Sequence, residues 1–124
     1  MQFLILFRDD ELPLSVKDVR SVLESNPGFS EVRVSSGGGS AAQATFSQGE
    51  DWTLVHLSDD LKAISLSRES SATLHAAYVL QSNLQVPLRL IDCDYTFDLH
   101  LWEYKSVAEI SAAIAAARTR AEED

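Results

Sequence analysis

Apolar and polar positions along this chain fall into two rhythms, one of period two and one of helical spacing. Residues 2–7, QFLILF, are apolar on both alternations, the pattern of a central strand buried on both sides. Ser15 and Asp18 then form a capping-box-like start, and Val16, Val19, Val22 and Leu23 make one helical stripe. Asn26-Pro27-Gly28 ends that helix. Four strands are predicted next, at 29–35, 42–47, 52–57 and 62–67. They are joined by Ser36–Ser40 (SGGGS), by the turn at 48–51 and by Ser58-Asp59-Asp60. Connections this short predict an antiparallel meander.

A second helix is predicted over 70–84, with Thr73, Ala76, Ala77, Leu80 and Leu84 on its inner face. Strands at 88–91 and 95–101 flank the turn Asp92-Cys93-Asp94. In the second strand Tyr95, Phe97, Leu99 and Leu101 point inward, and Thr96, Asp98 and His100 point outward. Ser106 and Glu109 form a capping box for a last helix with Val107, Ile110, Ile114 and Ala117 as its stripe. Residues 118–124 are expected to fray. The order is β-α-β-β-β-β-α-β-β-α. It predicts an α+β fold over 1–124, a single domain with a mainly antiparallel sheet and three helices.

Charge narrows the functional classes. Ten Lys and Arg stand against nineteen Asp and Glu, a net charge of −9. A nucleic-acid binder needs a basic footprint, and an anionic membrane repels an acidic domain, so both partners are disfavoured. A basic protein is attracted instead. Cys93 is the only cysteine, which leaves no internal disulfide and argues for the cytoplasm. The opening MQFLILFRDD has no basic start and too short an apolar core for a secretory leader.

Candidate chemistry is sparse. His56, His75 and His100 fall on different elements, with no HExxH or CxxC spacing, and no metal site or cofactor is expected. Cys93 lies between two aspartates, which oppose thiolate formation, and no GxSxG elbow occurs. No catalytic residue is expected. Asp92, Asp94, Asp98 and Glu103 instead cluster with Trp102 and Tyr104 within thirteen residues. Aromatics ringed by charge have the composition of an interface hot spot. Trp52 reads as a core anchor.

From Leu74 to Ala117, about a third of the chain, the sequence resembles the C-terminal part of small bacterial immunity proteins of contact-dependent and polymorphic toxin systems. The likeness lies in the strand pair IDCDYTFDLHL and the capped closing helix SVAEISAAI. It implies an acidic cytoplasmic inhibitor that binds one toxin and catalyses nothing. No residue role follows from it. The expected function is therefore a protein-binding domain, concretely an immunity-type inhibitor of a basic toxin domain that uses Asp92, Asp94, Asp98, Trp102, Glu103 and Tyr104. Two alternatives stand beside it. One is a homo-oligomeric structural or adaptor subunit, such as a homodimer through an exposed sheet edge or the alanine-rich last helix. The other is a small-molecule binder or enzyme built from scattered histidines and acids.

Overall fold

The computed structural model describes residues 3–34, 40–58 and 60–123. The glycine-rich loop and Asp59 of the following turn lie outside them, as does the start of the first predicted strand. Along the chain run β1 (Leu4–Arg8), α1 (Val16–Ser25), β2 (Phe29–Val34), β3 (Ser40–Gln48), β4 (Asp51–Ser58), β5 (Ile64–Leu66), α2 (Ser71–Leu84), β6 (Leu88–Asp92), β7 (Asp98–His100) and α3 (Val107–Glu123). A single 3-10 turn at Leu101–Glu103 links β7 to α3. The fold is α+β, in the predicted element order.

The caps work largely as the sequence implies. The Ser15 hydroxyl accepts from the Asp18 amide at 3.2 Å. The Ser106 hydroxyl accepts from the Glu109 amide at 3.2 Å, while the Glu109 carboxylate reaches back to the Lys105 amide. For α2 the cap comes from elsewhere. Ser70 makes no capping bond with its side chain, and the Asp51 carboxylate at the start of β4 accepts from the Ala72 amide at 2.9 Å.

Seven strands form one sheet in the order β2-β3-β4-β5-β1-β6-β7, and every neighbouring pair is antiparallel. β2 to β5 are the predicted meander. β1 lies between β5 and β6, pairing Leu4 with both Leu66 and Asp92. It is central in the sheet, as its apolar run suggests, but it is not buried on both faces.

Alternate positions separate the two faces. Leu4, Leu6, Val55, Leu57, Ile64, Leu66, Leu88, Leu90 and Leu99 form the inner face and share one core with Val19 and Leu23 of α1, Leu80 of α2 and Ile110 of α3. The three helices therefore cover the same side. On the opposite side the registers align a row from Gln43 through His56, Ser65, Ile5 and Ile91 to Asp98. No described helix covers that row. Among the described residues, no helix is long and apolar enough to cross a membrane.

Two expectations are corrected. β7 is shorter than predicted, because Tyr95 adopts left-handed backbone at φ 54° and the Thr96 amide turns back to the Asp92 carboxylate at 2.7 Å. Tyr95 is 65% exposed rather than inward, whereas Phe97, Leu99 and Leu101 are buried as predicted. α3 runs to Glu123, and Arg118 on it bonds to Glu69 before α2, to Asp92 at the end of β6 and to Thr96 in the turn before β7.

Candidate functional site

The acidic–aromatic cluster read from the sequence divides in three dimensions. Asp92, at the end of β6, turns inward and is only 5% exposed. Its carboxylate accepts from the Thr96 amide, the Thr96 hydroxyl and the Arg118 guanidinium. Burial pushes the Asp92 carboxyl up. The Thr96 hydroxyl, the Thr96 amide and Arg118 together outweigh it and hold the group below the usual carboxylate range. Arg118 also pairs with Glu69 and lies 5.3 Å from the Phe97 ring centre. Asp92 thus ties the β6–β7 turn to α3, and its carboxylate is committed within the chain. A carboxylate one step from a turn gives no sequence signal of inward orientation, and its arginine partner is 26 residues away.

The other members stay at the surface. Asp94 is exposed in the β6–β7 turn. Asp98 is held by Arg89 through two guanidinium nitrogens, one at 3.0 Å. Trp102 is 43% exposed and stacks on His100 with 4.7 Å between ring centres. Glu103 lies 3.8 Å from the His100 ring nitrogen. Tyr104 is half-buried against the core. Asp94, Trp102 and Glu103 stay exposed, the last two beside His100. The three histidines do not converge. His56 and His100 lie on β4 and β7, and His75 lies on α2 with a ring nitrogen 2.9 Å from the Ser71 carbonyl. Among the described residues no group of three His, Cys, Asp or Glu is placed to hold a metal ion.

The sequence reading missed a groove of about 480 Å³ on the uncovered sheet face. Its floor is Ile5 and Phe7 of β1, Ile91 of β6 and Ala63 before β5; Tyr95, Glu11 and Lys62 form its walls. The signal was present. β1 is apolar at both alternations, and the second set, Ile5 and Phe7, lines this floor. Three loop residues around it, Glu11, Leu61 and Tyr95, adopt left-handed backbone at φ 61°, 64° and 54°. That conformation is costly for residues with a Cβ and concentrates at functional sites. The Glu11 turn is closed by its amide donating to the Arg8 carbonyl at 3.0 Å.

The same face carries Trp52 and Leu54, 43% and 38% exposed. Trp52 is therefore no core anchor. Its ring lies 4.7 Å from the Arg68 guanidinium, which is 3.7 Å from Asp51. A second cleft, about 520 Å³, separates the start of α2 from α3, with Leu74 and Ile114 in its lining and Glu69 and Arg118 at its edge. No protein-family model, curated protein or solved structure matches the chain.

Proposed function

We propose that this protein is an acidic protein-binding domain that docks a basic partner on the uncovered face of its sheet, concretely as an immunity-type inhibitor of a basic toxin. One observation carries the reading. A seven-stranded sheet keeps one face free of helices, and that face holds an apolar-floored groove and outward aromatic and aliphatic side chains. Apolar surface of this kind, rimmed by polar residues, is costly to leave in water and marks interaction sites. The net charge of −9 selects a cationic partner and speeds its approach. The contact surface proposed here keeps part of the sequence-based set, without Asp98, which Arg89 holds, and without the half-buried Tyr104. Asp94, Trp102 and Glu103 lie in or after the turns that flank β7, Tyr95 and the groove are added, and Asp92 is removed.

The test is capture from native lysate on the immobilised full-length chain, at low and high salt. A Trp52→Glu/Tyr95→Glu variant runs in parallel. Retention of a basic protein at low salt, its release at high salt and its loss on the variant support the reading. An empty column at both salts, or retention that ignores the variant, overturns it. Light scattering that shows a dimer closed through this face would replace the foreign partner with a second copy.

A further inference from the structure

Three times in this chain an arginine is held in the same way, by an aromatic ring on one side and a carboxylate on the other. Arg68 lies over Trp52 and beside Asp51. Arg89 lies 4.9 Å from the Phe7 ring centre and is paired with Asp98. Arg118 lies over Phe97 and is paired with Asp92 and Glu69. Guanidinium suits this arrangement because it is planar, weakly hydrated and always charged.

Tyr95 and Glu11 are the same two kinds of group, and both line the groove over Ile5, Phe7 and Ile91. Tyr95 is 65% exposed, and among the described residues no arginine is stacked on its ring, although Arg89 lies within electrostatic range of it. Glu11 has no ion-pair partner among the described residues. By register, Tyr95 follows the end of β6 that lies beside Leu4, and Glu11 follows the opposite end of β1. The floor between them is apolar and already half-desolvated, with Ile91 only 4% exposed. A long side chain with an apolar stem and a charged planar head matches that sequence of surfaces.

We infer that this groove is an arginine-anchor pocket, taking one arginine side chain of a basic protein with its stem on Ile5 and Ile91 and its guanidinium against Tyr95, in the field of Glu11. The inference rests on the partner-binding reading and names what the partner inserts. Buried arginines in desolvated pockets are the usual anchors of such interfaces. Two cations oppose the guanidinium and weaken the pocket, Lys62 in the groove wall and Arg89 over the Phe7 ring, the latter offset by its pairing with Asp98.

The test uses the full chain, isotope-labelled, and two capped tripeptides, acetyl-Gly-Arg-Gly-amide and its citrulline counterpart. Citrulline keeps the shape and removes the charge. The arginine peptide is expected to shift the Ile5 and Ile91 methyl signals and the Tyr95 ring signals saturably, with Kd on the order of millimolar. The citrulline peptide should bind about tenfold more weakly. Tyr95→Ala and Glu11→Gln should each weaken the arginine peptide by about threefold or more, and Lys62→Ala should tighten it, as expected for a cation–π contact and a charge at a partly desolvated site. Equal binding of the two peptides, or shifts confined to residues outside the groove, overturns the inference. So does a protein captured from lysate whose retention is lost with Trp52→Glu but unchanged by Tyr95→Ala and Glu11→Gln. That last result leaves partner binding standing. Conversely, peptide binding at the groove beside an empty lysate column supports the pocket and removes the partner reading.

Discussion

Replacing Asp92 by Asn should expose how much of this fold is held by one buried carboxylate. The amide can still accept from the Thr96 amide through one oxygen. Its other arm becomes a donor; the Thr96 hydroxyl can turn to accept from it, but the Arg118 guanidinium has only donors to offer. One hydrogen bond to a charge is lost and a second becomes a weaker neutral one, where a bond to a charge contributes roughly 1.5–3 kcal/mol. The Asp92 side chain is 7% exposed, so nothing replaces its side of the contact; Arg118 is 33% exposed and keeps Glu69, so water and that pair recover part of the loss. The expected net cost is about 2 kcal/mol. For a chain of this size that lowers Tm by roughly 6–10 °C. Urea melts followed by circular dichroism, at matched pH and salt, measure it.

The pH dependence adds an independent check. The Asp92 carboxyl is held below its ordinary value in the folded state, so its contribution is fully present above the unfolded carboxyl value near about 3.9 and is lost as pH falls through the folded value. The stability gap between native protein and Asp92→Asn should be full at neutral pH and shrink progressively below about pH 5. A cost under about 0.5 kcal/mol, within the scatter of ordinary surface substitutions, refutes the argument that Asp92 anchors the turn and α3. A gap that stays constant into acid refutes the assignment of the cost to its charge.

Three further substitutions test separate features. In Gly28→Ala the new Cβ would meet the Phe46 ring well inside van der Waals contact, and that ring is packed edge-on against Phe29; a loss of about 1–3 kcal/mol in urea melts is expected. The Thr53 hydroxyl is fully buried and meets no hydrogen-bond partner among the described residues, so Thr53→Val should stabilise by about 1 kcal/mol, and a destabilised variant would show that the hydroxyl is satisfied. Gln85 closes α2 in left-handed conformation at φ 59°, so Gln85→Gly should raise the melting midpoint, by the equivalent of about 0.5–1 kcal/mol.

Local periodicity carried the order of elements, because each helix buries one stripe and most strands one alternation. Val19, Val22 and Leu23 on α1, and Thr73, Ala76, Ala77, Leu80 and Leu84 on α2, lie where the spacing puts them. Strand order was not legible. Nothing near Leu4 in the chain specifies Leu66 and Asp92 as its neighbours. The same limit governs the site. Asp92, Asp94, Asp98 and Glu103 are close in sequence, but β6 and its following turn aim them differently, and distant arginines take two of them. The groove draws on β1, β6 and the loops before β5 and α1, so only the surplus apolar residues of β1 hinted at it. Tyr95 was misread because alternation cannot distinguish a strand residue from one held outward by a left-handed turn.

The position of β1 has a kinetic meaning. Among the described strands it alone joins the β2–β5 meander to the β6–β7 hairpin, and both of its partners come much later in the chain. Each of those two units can form through short loops, but the sheet stays in two pieces until β1 is inserted between them. Pairings of such long sequence separation are slow, because loop-closure entropy is lost before contacts compensate it. Folding should thus end with the insertion of β1. Until that moment the facing edges of β5 and β6 stand open side by side, and a β1 from another copy of the chain would fit there as well as its own.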